Sequence, residues 1–185
     1  MKFNMGCGFN KADGFINVDK FAECSPDLLM DLEKFPWDIE DNSAEYVLFN
    51  HCLEHLGQET EVFFGIMKEL YRVSAAGATI EINVPHPRHD NFIGDPTHVR
   101  IISPQVLSLF SKKNCIYWSQ NNFANSPLAL YLNVDFEIKE NLQILENKYY
   151  EQLQKGILTN EEINVLTSER NNIVNEYRIK LTAIK

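Results

Sequence analysis

The chain has 185 residues, 44% hydrophobic and 23% charged, which suffices for one core and is ordinary for a globular domain. Its formal net charge of −9 and pI near 5.0 argue against nucleic acid as the main partner; phosphate recognition calls for a Lys/Arg stripe, and no basic cluster is longer than Lys112-Lys113. No apolar run approaches a membrane span, the N-terminus lacks the apolar core of a signal peptide, and Cys7, Cys24, Cys52 and Cys115 are scattered without C-x-x-C spacing, so reduced thiols in a cytoplasmic protein are expected.

Residues 3–5 read as a short apolar strand running into Gly6-Cys7-Gly8. A strand ending in Gly-x-Gly lets backbone approach a ligand closely, because no Cβ stands in the way. Residues 15–18 form a second strand that ends at Asp19. A carboxylate beside such a loop is the usual holder of a nucleoside ribose in a parallel sheet. Residues 27–31, introduced by Pro26, are a third strand. Residues 46–50 are an apolar fourth strand, of the kind covered on both faces.

Residues 60–73 predict an amphipathic helix, with Val62, Phe63, Ile66, Leu70 and Val73 at helical spacing and a C-terminal cap at Ala76-Gly77. Residues 79–84 alternate as a strand and stop at Pro85. Residues 86–103 have no period and are rich in His, Asp, Arg and Pro, which reads as a long functional loop. Ser103-Pro104 starts a helix to about Ser111. Residues 134–138 and 176–184 alternate as strands. Between them residues 146–173 are polar and helical, with a break near Gly156 and a fresh start at Thr159-Asn160-Glu161-Glu162. The organisation is therefore a single domain over residues 1–185 with a helical hairpin, 146–173, inserted between the last two strands. Strands alternating with helices predict an α/β fold with a mostly parallel sheet, whose ligands sit at the carboxyl ends of the strands. Gly6, Gly8, Asp19, Asp31 and Asn50-His51 all fall at such ends.

Six pieces stand in order: Asn4-Met5-Gly6-Cys7-Gly8, Asn17-Val18-Asp19, Asp31-Leu32, Phe35-Pro36-Trp37, Asp41-Asn42-Ser43 and His51-Cys52-Leu53-Glu54-His55-Leu56. Together they resemble a class I S-adenosylmethionine-dependent methyltransferase, of a small, N-terminally trimmed, type-11-like group. Glu69-Leu70-Tyr71-Arg72-Val73 before a glycine turn fits the helix that precedes the fifth strand. The resemblance is dense over residues 1–85, thinner over 86–140, and leaves the hairpin outside it. It implies a Rossmann-like, doubly wound, mostly parallel seven-stranded sheet with an antiparallel C-terminal strand, and S-adenosylmethionine as cofactor. It also implies roles. The loop of Asn4, Gly6, Cys7 and Gly8 would face the methionine part. Asp19 would accept hydrogen bonds from both ribose hydroxyls. Phe21 would cover an adenine face, and Asp31 with the backbone of Leu32 would meet the adenine edge. Asn50 and His51 would lie beside the sulfonium and the incoming acceptor. One departure stands out: about ten residues separate Gly8 from Asp19, against about 20 in the dinucleotide-binding unit. The first helix can be little more than a turn. The N-terminal helices that roof such sites do not precede the first strand, so closure would fall to a partner or to the 86–103 loop.

Other readings compete. Asp19 suits a helix cap, and Asp27 lies near enough to take the role of Asp31. His51-Cys52-Leu53-Glu54-His55 matches H-x-x-E-H, in which two histidines on one helix face bind zinc and the glutamate is the base. The same string occurs without zinc in the methyltransferases this chain resembles, and no third ligand stands at the peptidase spacing, so no metal is expected. A metal-dependent hydrolase using His51, Glu54 and His55 remains a rival, as does a non-catalytic cofactor-binding or scaffolding relative.

All five histidines fall between residues 51 and 98. Those after the fifth strand predict an acceptor pocket, with His89, His98 or His51 as general base and His86, Arg88, Asp95 and Arg100 binding the acceptor. The alternative is a loop whose polar groups satisfy one another. Tyr117, Trp118, Phe123 and Tyr131 read as core or lid packing. The hairpin reads as a solvated face, with a homodimer contact as the sharper alternative. The expected activity is in-line methyl transfer to a small-molecule or glycan-like acceptor.

Overall fold

The computed structural model describes residues 1–185. Its strands are β1 (Lys2–Met5), β2 (Ile16–Asp19), β3 (Leu28–Leu29), β4 (Ala44–Asn50), β5 (Ser74–Pro85), β6 (Phe136–Leu145) and β7 (Val174–Ala183). They hydrogen-bond in the order β3-β2-β1-β4-β5-β7-β6. Strands β1 to β5 run parallel, and β7 alone runs against its neighbours β5 and β6. The sheet winds outward from β1 in both directions, as the resemblance implied. The winding reverses between β1 and β4, which is where the strand ends of such a sheet part to form a crevice.

The register sorts the side chains onto two unlike faces. Phe3 lies beside Val47 and Val47 beside Ile80; Met5 lies beside Phe49 and Phe49 beside Ile82. All six are buried. Against them packs α1 (Thr60–Val73), whose buried residues Phe63, Ile66, Met67, Leu70 and Val73 recur at three- and four-residue steps. Each such side chain contributes roughly 1.5–3 kcal/mol by leaving water, which is what holds the helix to the sheet. Phe110, just after α3 (Pro104–Ser108), meets Phe63 edge-on at 5.8 Å and extends this layer.

The opposite face differs from expectation. Tyr46 and Leu48 of β4 are half-buried, and Glu45 and Asn50 are exposed, so β4 is not covered on both sides. The connections from β1 to β2 and from β2 to β3 hold no α-helix, only a 3-10 turn at Ala22–Cys24. Ten residues between β1 and β2 are too few to cross over the sheet with a helix. The face is polar instead. Tyr46 donates to Glu81, Asn83 Nδ2 donates to Asn50 Oδ1 at 3.2 Å, and Lys180 pairs with Glu140 at 2.7 Å.

Several boundaries also move. Helix α1 passes into β5 without a loop: Ser74 Oγ donates to Leu70 O at 2.7 Å, and Ser74 already pairs with Ala44. Gly77 (φ +77°) therefore caps no helix; it serves the register shift between β4 and β5. The helix expected to about Ser111 ends at Ser108, and Ser111 instead caps α4 (Lys112–Gln120), followed by α5 (Leu128–Leu132). Helix α4 left little trace in the sequence because only Cys115 in it is buried. Strand β6 continues past Ile138 to Leu145 through residues of mixed polarity paired with β7. Between β6 and β7 stand α6 (Asn147–Gln154) and α7 (Asn160–Glu169), the latter opened by a Thr159/Glu162 capping box.

One arginine ties the segment after β3 to α1. Arg72 Nη1 donates to Ile39 O at 2.8 Å and Nη2 to Trp37 O at 3.0 Å. Its Nε and Nη2 grip both oxygens of Glu69, at 2.9 and 2.7 Å. Glu69 in turn accepts the Trp37 N–H at 2.7 Å. The fork holds the Glu69 carboxyl below its ordinary range and raises the guanidinium. Replacing it strands a carboxylate and two carbonyls. Arg72→Met is therefore expected to lower stability by about 2–4 kcal/mol in urea unfolding; an unchanged midpoint would show that the fork holds nothing.

Candidate functional site

The first turn of the site is set by two glycines. Gly6 (φ +64°) and Gly8 (φ +49°) reverse the chain at the end of β1. Gly6 is demanded twice over, because a Cβ there would lie 2.2 Å from Cys52 Sγ. The turn then presents the Gly8 N–H to Asp19 Oδ2 at 2.8 Å, while Phe21 N–H donates to Oδ1 at 2.9 Å. Asp19, at the end of β2, is only 7% exposed, yet each of its oxygens keeps acceptor capacity. The cleft in front of it has a volume of about 470 Å³ and runs across the ends of β3, β2, β1 and β4. Its lining includes Gly6, Gly8, Asp19, Phe21, Asp31 and Leu32, and on the β4 side His51, Cys52, His55 and Thr97. Phe9 and Phe21 stand at its mouth, 80% and 58% exposed.

Other expected contacts turn out to support the loop. Asn4 is buried, and its Nδ2 donates to Asn10 O at 3.1 Å and Asn17 Oδ1 at 3.0 Å. Cys7 is buried behind the turn, where burial pushes its thiol pKa up. Asn50 accepts from Asn83 on the open sheet face. None of the three lines the cleft. Asp27 is occupied by the backbone and side-chain amides of Asn17, both at 2.8 Å, which leaves Asp31 as the cleft carboxylate.

The histidines disperse. His51 closes β4 in a left-handed conformation (φ +51°), and Leu53–His55 is a single 3-10 turn, so His51 and His55 share no helix face and the inverted zinc-peptidase geometry is absent. His51 lines the cleft; its Nε2 lies 3.1 Å from Glu176 and its Nδ1 3.5 Å from Glu54. Glu54, then Glu176, raises the pKa of its ring against the opposing pull of partial burial.

His86, Arg88 and His89 serve the hairpin. His86 is buried against Tyr177 at 4.8 Å and accepts the Arg88 N–H; it borders a separate cavity of about 320 Å³ beneath α7. Arg88 donates to Ser168 O and Thr167 O, the free carbonyls at the end of α7. His89 Nδ1 caps the short helix α2 (Asp90–Ile93), and its Nε2 lies 3.0 Å from Glu146, at the root of α6. His89 is thus no base for the cleft, and His86 and Arg88 do not reach it. Arg100 packs on Phe63 at 4.4 Å and donates to Gly57 O, which removes it as an anion holder. Asp95 accepts from Thr97 N at 2.8 Å and Thr97 Oγ1 at 2.6 Å. His98 donates from Nδ1 to Phe92 O at 3.0 Å and meets His55 edge-on at 4.6 Å, just behind the cleft wall. The sequence reading missed Thr97 and gave His55 no part in a cofactor cleft. Both owe their place to the 95–100 segment folding back, where Val99 and Arg100 N–H groups donate to Glu54 O at 3.0 and 3.1 Å.

The chain matches no family model and no curated protein. Solved structures share its fold. A SAM-dependent methyltransferase from Archaeoglobus fulgidus is 23% identical, with a TM-score of 0.58 over 98% of this chain and 85% of that one. One from Methanosarcina mazei is 13% identical, with a TM-score of 0.52 over 99% and 92%. One from Thermotoga maritima is 12% identical, with a TM-score of 0.53 over 100% and 82%. The seven-stranded architecture is the one these proteins have.

Two predictions follow from the packing of this region. Gly6→Ala forces a non-glycine residue into positive φ and a methyl onto Cys52, and should cost about 2–4 kcal/mol, read from the thermal midpoint. His86 is held neutral by burial, which lowers its pKa to about 4 from 6.5. Between those values the unfolded chain carries more protons, so stability falls as pH falls from 6.5 towards 4, by at most about 3 kcal/mol for this group. Urea midpoints at pH 7 and 4.5 should therefore draw closer together in His86→Phe than in the natural chain.

Proposed function

We propose that the protein is an S-adenosylmethionine-dependent methyltransferase acting on a hydroxyl or amine of a small-molecule or glycan-like acceptor. The observation that carries this reading is Asp19, pinned by two backbone N–H groups beside a glycine turn and facing a cleft of nucleoside size. The fold shared with SAM-dependent methyltransferases supports it. The residues present fit that cofactor. The remaining acceptor capacity of Asp19 suits a vicinal diol, Phe21 offers an aromatic face, Asp31 and the backbone of Leu32 stand at the far end, and Gly6 and Gly8 admit the amino-acid portion. When bound, the cofactor supplies an electrophilic methyl group.

The chain's own contribution is placement and exclusion of water, with proton removal only where the acceptor must lose one. His51 is the base in this reading. Of the three expected bases it is the one that lines the cleft; Glu176 accepts from its Nε2 at 3.1 Å, which leaves Nδ1 as the nitrogen to take the proton.

Calorimetric titration with S-adenosylhomocysteine tests the cofactor half. Saturable heat and a raised melting temperature are expected, and Asp19→Ala should weaken binding about tenfold or more. No heat and no thermal shift at millimolar ligand would overturn the reading.

A further inference from the structure

We propose that Glu54, His55 and His98 form a site for a divalent first-row metal ion, of the zinc or cobalt kind, in the wall of the cleft. A side-chain ligand atom from each of the three lies within 4.8 Å of the others. Two imidazoles and one carboxylate are a ligand set that suits such ions.

The second observation is Glu54 itself. It is 1% exposed, and neither carboxylate oxygen has a hydrogen-bond partner. A buried carboxylate without partners is costly, and a cation is the ligand that relieves it. His51 Nδ1 stands 3.5 Å from Glu54 Oε1, a contact that makes no hydrogen bond.

The surroundings also prepare both imidazoles. His98 Nδ1 donates to the backbone carbonyl of Phe92 at 3.0 Å, which in the neutral ring leaves the lone pair on Nε2, with Asp95 Oδ2 3.8 Å from it. The Thr97 hydroxyl donates to Asp95 Oδ1 at 2.6 Å, which leaves Thr97 Oγ1 to accept from His55 Nδ1 at 2.9 Å. His55 Nε2 is then free as well. Metal-binding histidines are characteristically oriented this way, with the second ring nitrogen donating to a carbonyl or, here through a hydroxyl, to a carboxylate. The Val99 and Arg100 N–H groups bond the carbonyl of Glu54, so the segment carrying His98 is fastened to the turn carrying the other two ligands.

Ligand distances of about 2.0–2.2 Å require the three atoms to draw closer than the 4.8 Å that now bounds their separation. His55 and Thr97 line the cleft, so the site adjoins it. The site stands whether or not the cleft takes a methyl donor.

The test uses protein stripped with a chelator and dialysed. Zinc is titrated in competition with a chromogenic chelator, and cobalt is followed by its visible absorption. One equivalent should bind with a dissociation constant of about a micromolar or tighter, and cobalt should give the intense bands of a low-symmetry, partly nitrogen-ligated ion. His98→Ala and Glu54→Gln should each weaken binding about a hundredfold or more, while His86→Phe leaves it unchanged. Circular dichroism separates lost folding from lost binding, and His98→Ala alone decides the matter should Glu54→Gln fail to fold. Absence of binding at equimolar metal overturns the proposal. So does binding that survives His98→Ala, or a Glu54→Gln protein that is stabilised and binds metal as before.

Discussion

The site depends on one bridged carboxylate. Asp19 accepts from Gly8 on one oxygen and from Phe21 on the other, and so joins the end of β1 to the segment leaving β2. Hydrogen bonds to an ionised acceptor are among the stronger ones available to a fold. They fix the glycine turn, and the turn sets the floor of the cleft. Gly6 makes the arrangement exclusive, because Cys52 occupies the space any side chain would need. The same bonds keep Asp19 in place at low exposure, with its remaining acceptor sites aimed outward.

Much of this was legible in the sequence. The strand ends, the glycines, Asp19 and Asp31 follow from local pattern, since an apolar run closed by glycine or an acid has few uses in a parallel sheet. Helix α1 was legible because its apolar period is complete. The exceptions have physical causes. Strand β6 beyond Ile138 is largely solvent-facing and is held by pairing with β7, so it lacks a clean apolar alternation. The open face behind β4 reflects a missing crossover helix, which an apolar run alone does not disclose. The loop over residues 86–103 advertised chemistry through composition, but composition does not say which way a side chain turns. Tertiary contacts sent His86, Arg88 and His89 to the hairpin, Arg100 to Phe63, Thr97 to the cleft wall and His98 just behind it.

The hairpin explains why so many polar groups gather after β5. Helices α6 and α7 are mostly solvated, and few of their side chains reach the core. What holds them is directional. Arg88 meets the carbonyl end of α7, His89 meets Glu146, and Asn172 bonds both the backbone and the carboxylate of Asp90. A polar-faced insertion needs a polar dock, and the 86–91 segment is that dock.

The bare, hydrogen-bonded side of the sheet has a consequence for how this chain can diverge. Residues such as Glu81, Asn83 and Lys180 answer to polar partners more than to volume, because they are only half-buried and no helix covers them. Phe49, Ile82 and Ile179, on the reverse of the same strands, answer to volume at every methyl group. Related sequences should accumulate changes at every second position of β4, β5 and β7, and hold the alternate positions nearly still.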